Sequence, residues 1–186
     1  KICEALSSQK KKPTIISLLA GRKVKDLSLA FKSFPIVSVM TNTASSLGAG
    51  VSFAWKNPLV SKKSWSLVER MLNSAGNFYQ VPESELEYVT ILGASSPAFA
   101  LKYASSLLAQ NAGTRLSKKM RQDIIAQTLE GVAALLRKGL DPEKLIEQIA
   151  TPGGCTEQGV LELERCHNSR DLQSAFEKAQ RHIEQL

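Results

Sequence analysis

Apolar residues along this chain follow two different periods, and the change falls near Pro82. Thr14-Ile15-Ile16-Ser17-Leu18-Leu19 is an almost unbroken apolar run that predicts a buried strand, closed by Ala20-Gly21. From Val24 to Phe31 the apolar positions are 24, 27, 30 and 31, a helical spacing. Pro35 to Met40 (PIVSVM) reads as strand again, followed by a polar loop over 41–46 and a third strand over 51–55. Over 64–72, Trp65, Leu67, Val68, Met71 and Leu72 fall on one helical face, and Phe78-Tyr79-Gln80-Val81 makes a last short strand. Strands separated by helices predict βα units and a sheet that is at least partly parallel.

Beyond Pro82 only helical periods remain. A helical region opens over 84–92, and Ser95-Ser96-Pro97 reads as a cap followed by a first-turn proline. The next helix carries Phe99, Ala100, Tyr103, Ala104, Leu107 and Leu108. Leu116-Ser117 opens a longer one with the stripe Met120, Ile124, Ile125, Leu129, Val132, Leu135 and Leu136, stopped by Gly139. Asp141-Pro142 caps a helix to Ile149. Pro152-Gly153-Gly154 breaks it, helical spacing returns at Val160-Leu161-Leu163, and a final helix is expected over 171–186. The pattern predicts an α/β half, residues 1–82, followed by an all-α half, residues 83–186. The second half is rich in Ala and Leu with few aromatics to anchor a core. Such faces often close against a second subunit, which predicts a homodimer; a self-contained bundle is the alternative.

Composition narrows the classes. The chain has 186 residues, 43% hydrophobic and 22% charged, enough apolar content for one or two compact domains. No apolar run approaches the length that crosses a bilayer, and Lys1-Ile2-Cys3-Glu4 has no signal-peptide pattern, so no membrane role is expected. Without an initiator Met the chain reads as a fragment. Three cysteines (Cys3, Cys155, Cys166) form no CxxC, which predicts reduced thiols in a cytoplasmic protein. The two histidines, His167 and His182, have no metal-like spacing, and no metal is expected. The net charge of +7 is dispersed over Lys10-Lys11-Lys12, Lys62-Lys63 and Lys118-Lys119 with Arg121. These read first as solvated faces. They fit attraction of an anionic cofactor or substrate, whereas a nucleic-acid surface needs convergence with exposed aromatics.

Chemistry concentrates where helix is given up. At ATPGGCT (150–156), Pro152 cannot extend the preceding helix, and Gly153 and Gly154 let a ligand approach the main chain. The next helix is expected to start at about Cys155. Its free N–H groups and positive dipole end then face the break, which is an anion-binding arrangement without Arg or Lys. Thr151 and Thr156 add hydroxyls. The alternative is a plain inter-helix turn. A second loop, VMTNTASSLGAG (39–50), follows a strand, where ligands bind in open α/β sheets. There Asn42 can read an amide, or the loop is only a polar connector. A third stretch, LGASSPAF (92–99), joins small residues to a helix start.

Taken in order, LLAG (18–21), VMTNTASSLGAG (39–50), VTILGASSPAF (89–99) and ATPGGCT (150–156) resemble pyrroline-5-carboxylate reductase, as does AQTLEGVAALL (126–136). The family patterns are close to AAG, VMPNTPxxxGxG, VTALSGSGPAF and TSPGGTT, and the resemblance covers essentially the whole chain. Thr41 stands where the family usually has Pro, Ser96 where it has Gly, and Cys155 where it has a small residue or Thr. The family's GxGxxG is not in this chain. The resemblance therefore implies the C-terminal part of a Rossmann-like dinucleotide-binding domain over 1–82, then an all-helical dimerisation and substrate-binding domain over 83–186.

The resemblance also implies a reaction. A hydride passes from NADP or NAD in reduced form to the C=N carbon of pyrroline-5-carboxylate, giving L-proline. Thr151, Gly153, Gly154, Cys155 and Thr156 would hold the substrate, with Thr156 also orienting the ring nitrogen as the catalytic hydroxyl. Ala20, Gly21, Met40 and Asn42 would flank the nicotinamide end of the cofactor. As an N-terminally truncated chain it is expected to be inactive or nearly so. Three other readings stand beside this one. The first is a non-catalytic dimerising homologue. The second is a related β-hydroxyacid-type dehydrogenase, for which Lys102 is the candidate lysine. A nucleic-acid binder is the third.

Overall fold

The computed structural model describes residues 12–22, 24–31, 33–110, 113–166, 168–183 and 185. Cys3, Lys10, Lys11, His167 and Leu186, named above, lie outside them. Two units divide the chain by packing. One is Lys1–Ala98 with Phe176–Leu186, and the other is Phe99–Ala175.

The first unit is built on a four-stranded sheet in the order β1-β2-β3-β4. Its strands are β1 (Ile15–Ser17), β2 (Ile36–Thr41), β3 (Gly50–Lys56) and β4 (Gly76–Gln80). β1 pairs parallel with β2 across helix α1 (Val24–Ala30), and β3 pairs parallel with β4 across α2 (Lys62–Asn73). These are the expected βα units. β2 and β3 run antiparallel, so the sheet is mixed. Their connection is too short for a crossover, and a 3-10 turn over Thr43–Leu47 folds it back.

Successive side chains of a strand face opposite sides, and β2 is buried on both. Val37 and Val39, with Ala54 of β3, pack against Val60, Trp65, Val68 and Leu72 beneath α2. On the other face Ile36 meets Leu27 and Phe34 at one end, and Met40 meets Phe53 and Leu86 at the other. Asn57 secures the start of the strand. Its Oδ1 accepts from the Ile36 N–H at 3.1 Å, and its Nδ2 donates to the Phe34 carbonyl at 3.0 Å.

After β4 the chain passes through a 3-10 turn (Glu83–Glu85) and the short helix α3 (Leu86–Val89). Here the structure departs from the expected cap at Ser95-Ser96. A π-helical segment, Thr90–Ser95, runs without interruption into α4 (Ser96–Ala109). Pro97 accounts for it: a proline has no N–H for the carbonyl four residues back, and the ladder shifts instead of starting afresh. Ile91 of this segment is fully buried. Residues 83–98 therefore pack with the sheet, although strand character ends at Gln80, close to the boundary read from the sequence.

The second unit holds most of α4, then α5 (Lys118–Arg137), α6 (Pro142–Ile149), α7 (Cys155–Arg165) and the first half of α8 (Asn168–Ile183). The caps are those read from the sequence. Ser117 accepts from the Met120 N–H, Asp141 accepts from the Lys144 N–H, and Gly139 closes α5. Arg121 reaches back to cap α4, its Nη1 donating to the Leu108 and Gln110 carbonyls, each at 3.0 Å. α8 begins three residues before the expected start. Its end belongs to the first unit, where Ile183 is buried and Phe176 meets the Tyr88 ring. Among the described residues no helix is long and apolar enough to cross a membrane.

Gly76 opens β4 opposite Gly50 with φ of 137°, and an added Cβ would lie 2.0 Å from the Gly50 carbonyl oxygen. Gly76→Ala is expected to destabilise the chain by about 3 kcal/mol, read as a lowered urea midpoint at unchanged slope.

Candidate active site

In the first unit, the carboxyl ends of β1 and β2 open on a cleft of about 410 Å³. Its walls include Leu19, Gly21, Ser38, Met40, Leu86 and Thr90. Two of the four residues expected at the cofactor, Gly21 and Met40, thus line one cavity. Ala20 is exposed beside Gly21 on the same turn. Gly21 has φ of 71°, so the turn after β1 rests on a residue without a side chain. The apolar walls at Leu19 and Met40 suit the face of a flat heteroaromatic ring, and the volume accommodates one. Ser38 adds a hydroxyl that is buried without a partner among the described residues.

Asn42 follows β2 and is engaged within the first unit. Its Nδ2 donates to the Gly93 carbonyl at 2.9 Å, and its Oδ1 is buried without a partner among the described residues. The donor side of the amide is thus engaged inside the chain. Thr41 and Ser96, the two motif departures, are absorbed locally. Thr41 Oγ1 lies 2.6 Å from Ser45 Oγ and accepts from Ser52 Oγ, while Ser96 Oγ donates to the Leu92 carbonyl.

In the second unit, α7 begins at Cys155 with Gly154 as N-cap and no side chain capping it. Gly153 takes φ of 76°, a turn that favours glycine. Of the four amides expected to be open, two are already bonded. Gly154 N–H donates to the Thr151 carbonyl at 2.9 Å, and Gly153 N–H donates to Glu157 Oε2 at 2.8 Å. The first helical bond is Gln158 N–H to the Gly154 carbonyl. Among the described residues nothing accepts from the Cys155 or Thr156 amide, so those two remain to meet an anion. The Thr151 and Thr156 side chains are exposed at the same turn. Glu157 was not anticipated, yet its place is legible: it stands three residues after the N-cap, where an acid commonly reaches back over a helix start.

At the far end of α7, Arg165 grips Glu162 with Nε to Oε2 at 2.8 Å and Nη2 to Oε1 at 2.6 Å. This holds the Glu162 carboxyl below its ordinary range. The neighbouring Cys166 thiol is pushed up, first by desolvation and then by Glu162 and Asp171. Cys155 and Cys166 are both free thiols.

The pyrroline-5-carboxylate reductase dimerisation family matches residues 83–186, more than half of the chain and including the Gly153 turn. The chain belongs to the pyrroline-5-carboxylate reductase family. A reductase of Mycobacterium tuberculosis is 30% identical over 170 residues, 82% of this chain and 58% of that protein. One of Synechocystis is 26% identical over 187 residues, all of this chain and 70% of that protein. Among solved structures, the reductase of Streptococcus pyogenes superposes with a TM-score of 0.89 at 26% identity, over 98% of this chain and 71% of that one. A Plasmodium falciparum pyrroline carboxylate reductase with NADP bound gives 0.89 at 25% identity, over 98% and 72%. The chain thus spans only part of each reductase, between 58% and 72% of its length. The expected class, an α/β half followed by a helical half, is that of the reductase structures. Family membership also displaces the hydroxyacid dehydrogenase reading, and Lys102 is an exposed residue of α4.

Glu162→Gln removes two of the influences that raise the Cys166 pKa. At pH 8 the thiolate fraction then rises, and alkylation of Cys166, followed by peptide mass spectrometry, is expected to speed up roughly twofold.

Proposed function

We propose that this chain is part of a pyrroline-5-carboxylate reductase, with residues 1–82 on the dinucleotide and 83–186 on dimerisation and substrate. The observation that carries the reading is the helix start at Cys155 and Thr156, with open amides, inside the segment that the reductase family matches. Two amides and the dipole of α7 give a small carboxylate a fixed site. The exposed Thr151 hydroxyl supplements them.

Thr156 orients the ring nitrogen of the substrate. A hydroxyl is too weak an acid to protonate it alone, so Thr156 holds the geometry and water supplies the proton. In the first unit, Ala20, Gly21 and Met40 flank the nicotinamide end of NADP or NAD, backed by the Asn42 loop. When bound, the reduced dinucleotide supplies the hydride to the C=N carbon. Leu19 and Met40 keep water from the ring they face.

Association of the second unit with its own copy follows from burial. No residue of α4, α5, α6 or α7 is buried. Leu101, Met120, Val132, Leu136 and Leu163 present large exposed apolar surface. A patch of that kind in a folded chain marks an interface. We place the protein in the cytoplasm, supported by its free thiols at Cys155 and Cys166.

The gene product that carries this chain, assayed with NADPH and pyrroline-5-carboxylate, is expected to oxidise NADPH and form proline; no turnover overturns the reading. In that assay Thr156→Ala lowers kcat/KM about 10- to 100-fold, the loss of one hydrogen bond to a charged partner, while Thr156→Ser retains most of it. Sedimentation at micromolar concentration is expected to give a dimer, and Val132→Asp with Leu136→Asp a monomer.

A further inference from the structure

Asn42 and Gly93 are joined by a hydrogen bond beside the cleft. In a regular α-helix the Gly93 carbonyl would accept from the N–H of the residue four positions on. That residue is Pro97, which has none. Over Thr90–Ser95 the chain is π-helical, and the Gly93 carbonyl instead receives the side-chain N–H of Asn42, 51 residues earlier, at 2.9 Å. Met40 stands two residues before Asn42, and Thr90 three residues before Gly93. Both line the cleft. The bond therefore closes a ring of backbone that contains residues of two cleft walls.

The ring has little room to adjust. A Cβ on Gly93 would lie 2.4 Å from the Phe53 ring, so the Gly93 Cα packs directly against a side chain of the sheet. Asn42 Oδ1 is buried without a partner among the described residues, so the side chain is oriented by its donor alone. An aspartate has the same shape but brings an acceptor to face an acceptor.

We propose that Asn42 is a positioning residue of the reductase site. Through Gly93 it holds Met40 and Thr90 at the spacing the nicotinamide ring requires, without touching substrate or cofactor. The proposal rests on the reductase reading, and its test separates the two. In the gene product, Asn42→Asp and Asn42→Ala are expected to lower kcat of the folded fraction about tenfold, with KM for pyrroline-5-carboxylate within about twofold. A merely structural Asn42 lowers the melting temperature and leaves that kcat unchanged. In the wild-type protein the Asn42 side-chain amide protons are expected to exchange slowly with solvent by NMR. Asn42→Ala should shift the Met40 and Thr90 methyl resonances together. A kcat within twofold of wild type in both variants overturns the proposal, as does rapid exchange of the Asn42 amide. Should the wild type fail to reduce pyrroline-5-carboxylate, the function falls and the positioning role with it. Slow amide exchange would then show that only the structural tie survives. Should both variants fail to fold, Asn42→Ser, read for the same kcat and KM split, decides.

Discussion

Burial of β2 on both faces is the constraint from which the described sheet unit follows. A strand that carries Val37 and Val39 to one side and Ile36 and Met40 to the other must be covered twice. Each such side chain contributes about 1.5–3 kcal/mol when removed from water. α2 covers one side. The other is shared between α1 near Ile36 and α3 near Met40. The division leaves a gap at Ser38, where the cleft lies. Asn57 fixes where the strand begins, so the residues at its carboxyl end are fixed as well.

The helical unit is organised by a different rule. Its helices are capped at the ends, by Ser117, Asp141 and Arg121, yet none of α4, α5, α6 and α7 buries a residue along its length. Capping secures individual helices by roughly 1 kcal/mol each and does not create a core. Most helical stability in water comes from packing of an apolar face. The apolar stripe of α5 shows what that packing must cover, and the proposed second copy supplies it.

Much of this was legible from residue order. Short apolar runs located each strand among the described residues, and period-three-to-four spacing located most helices, to within a few positions, because burial on both faces leaves a continuous run and burial on one face leaves a period. Caps at Ser117 and Asp141 were legible because short polar side chains bond the backbone next to them. What escaped were pairings at long range. Nothing near Asn42 announces that it bonds residue 93, and an asparagine after a strand reads equally well as a ligand contact. The antiparallel β2–β3 pairing was missed for a similar reason: strand direction depends on connection length, and the polar segment over 41–49 does not declare its fold. The Gly153 turn was read correctly as a helix break. The break alone does not announce that two of its amides are bonded within the chain, one of them by the reach of Glu157.

That reach has a consequence for how the turn meets any acid. The Gly153 N–H is already held by a carboxylate of the same chain. A visitor that claims this hydrogen evicts Glu157, and the evicted group must be rehydrated. What a titration records there is an exchange between two carboxylates, so its apparent strength understates the attraction of the turn itself. A visitor content with the Cys155 and Thr156 amides leaves Glu157 in place, and then meets a negative neighbour one residue away.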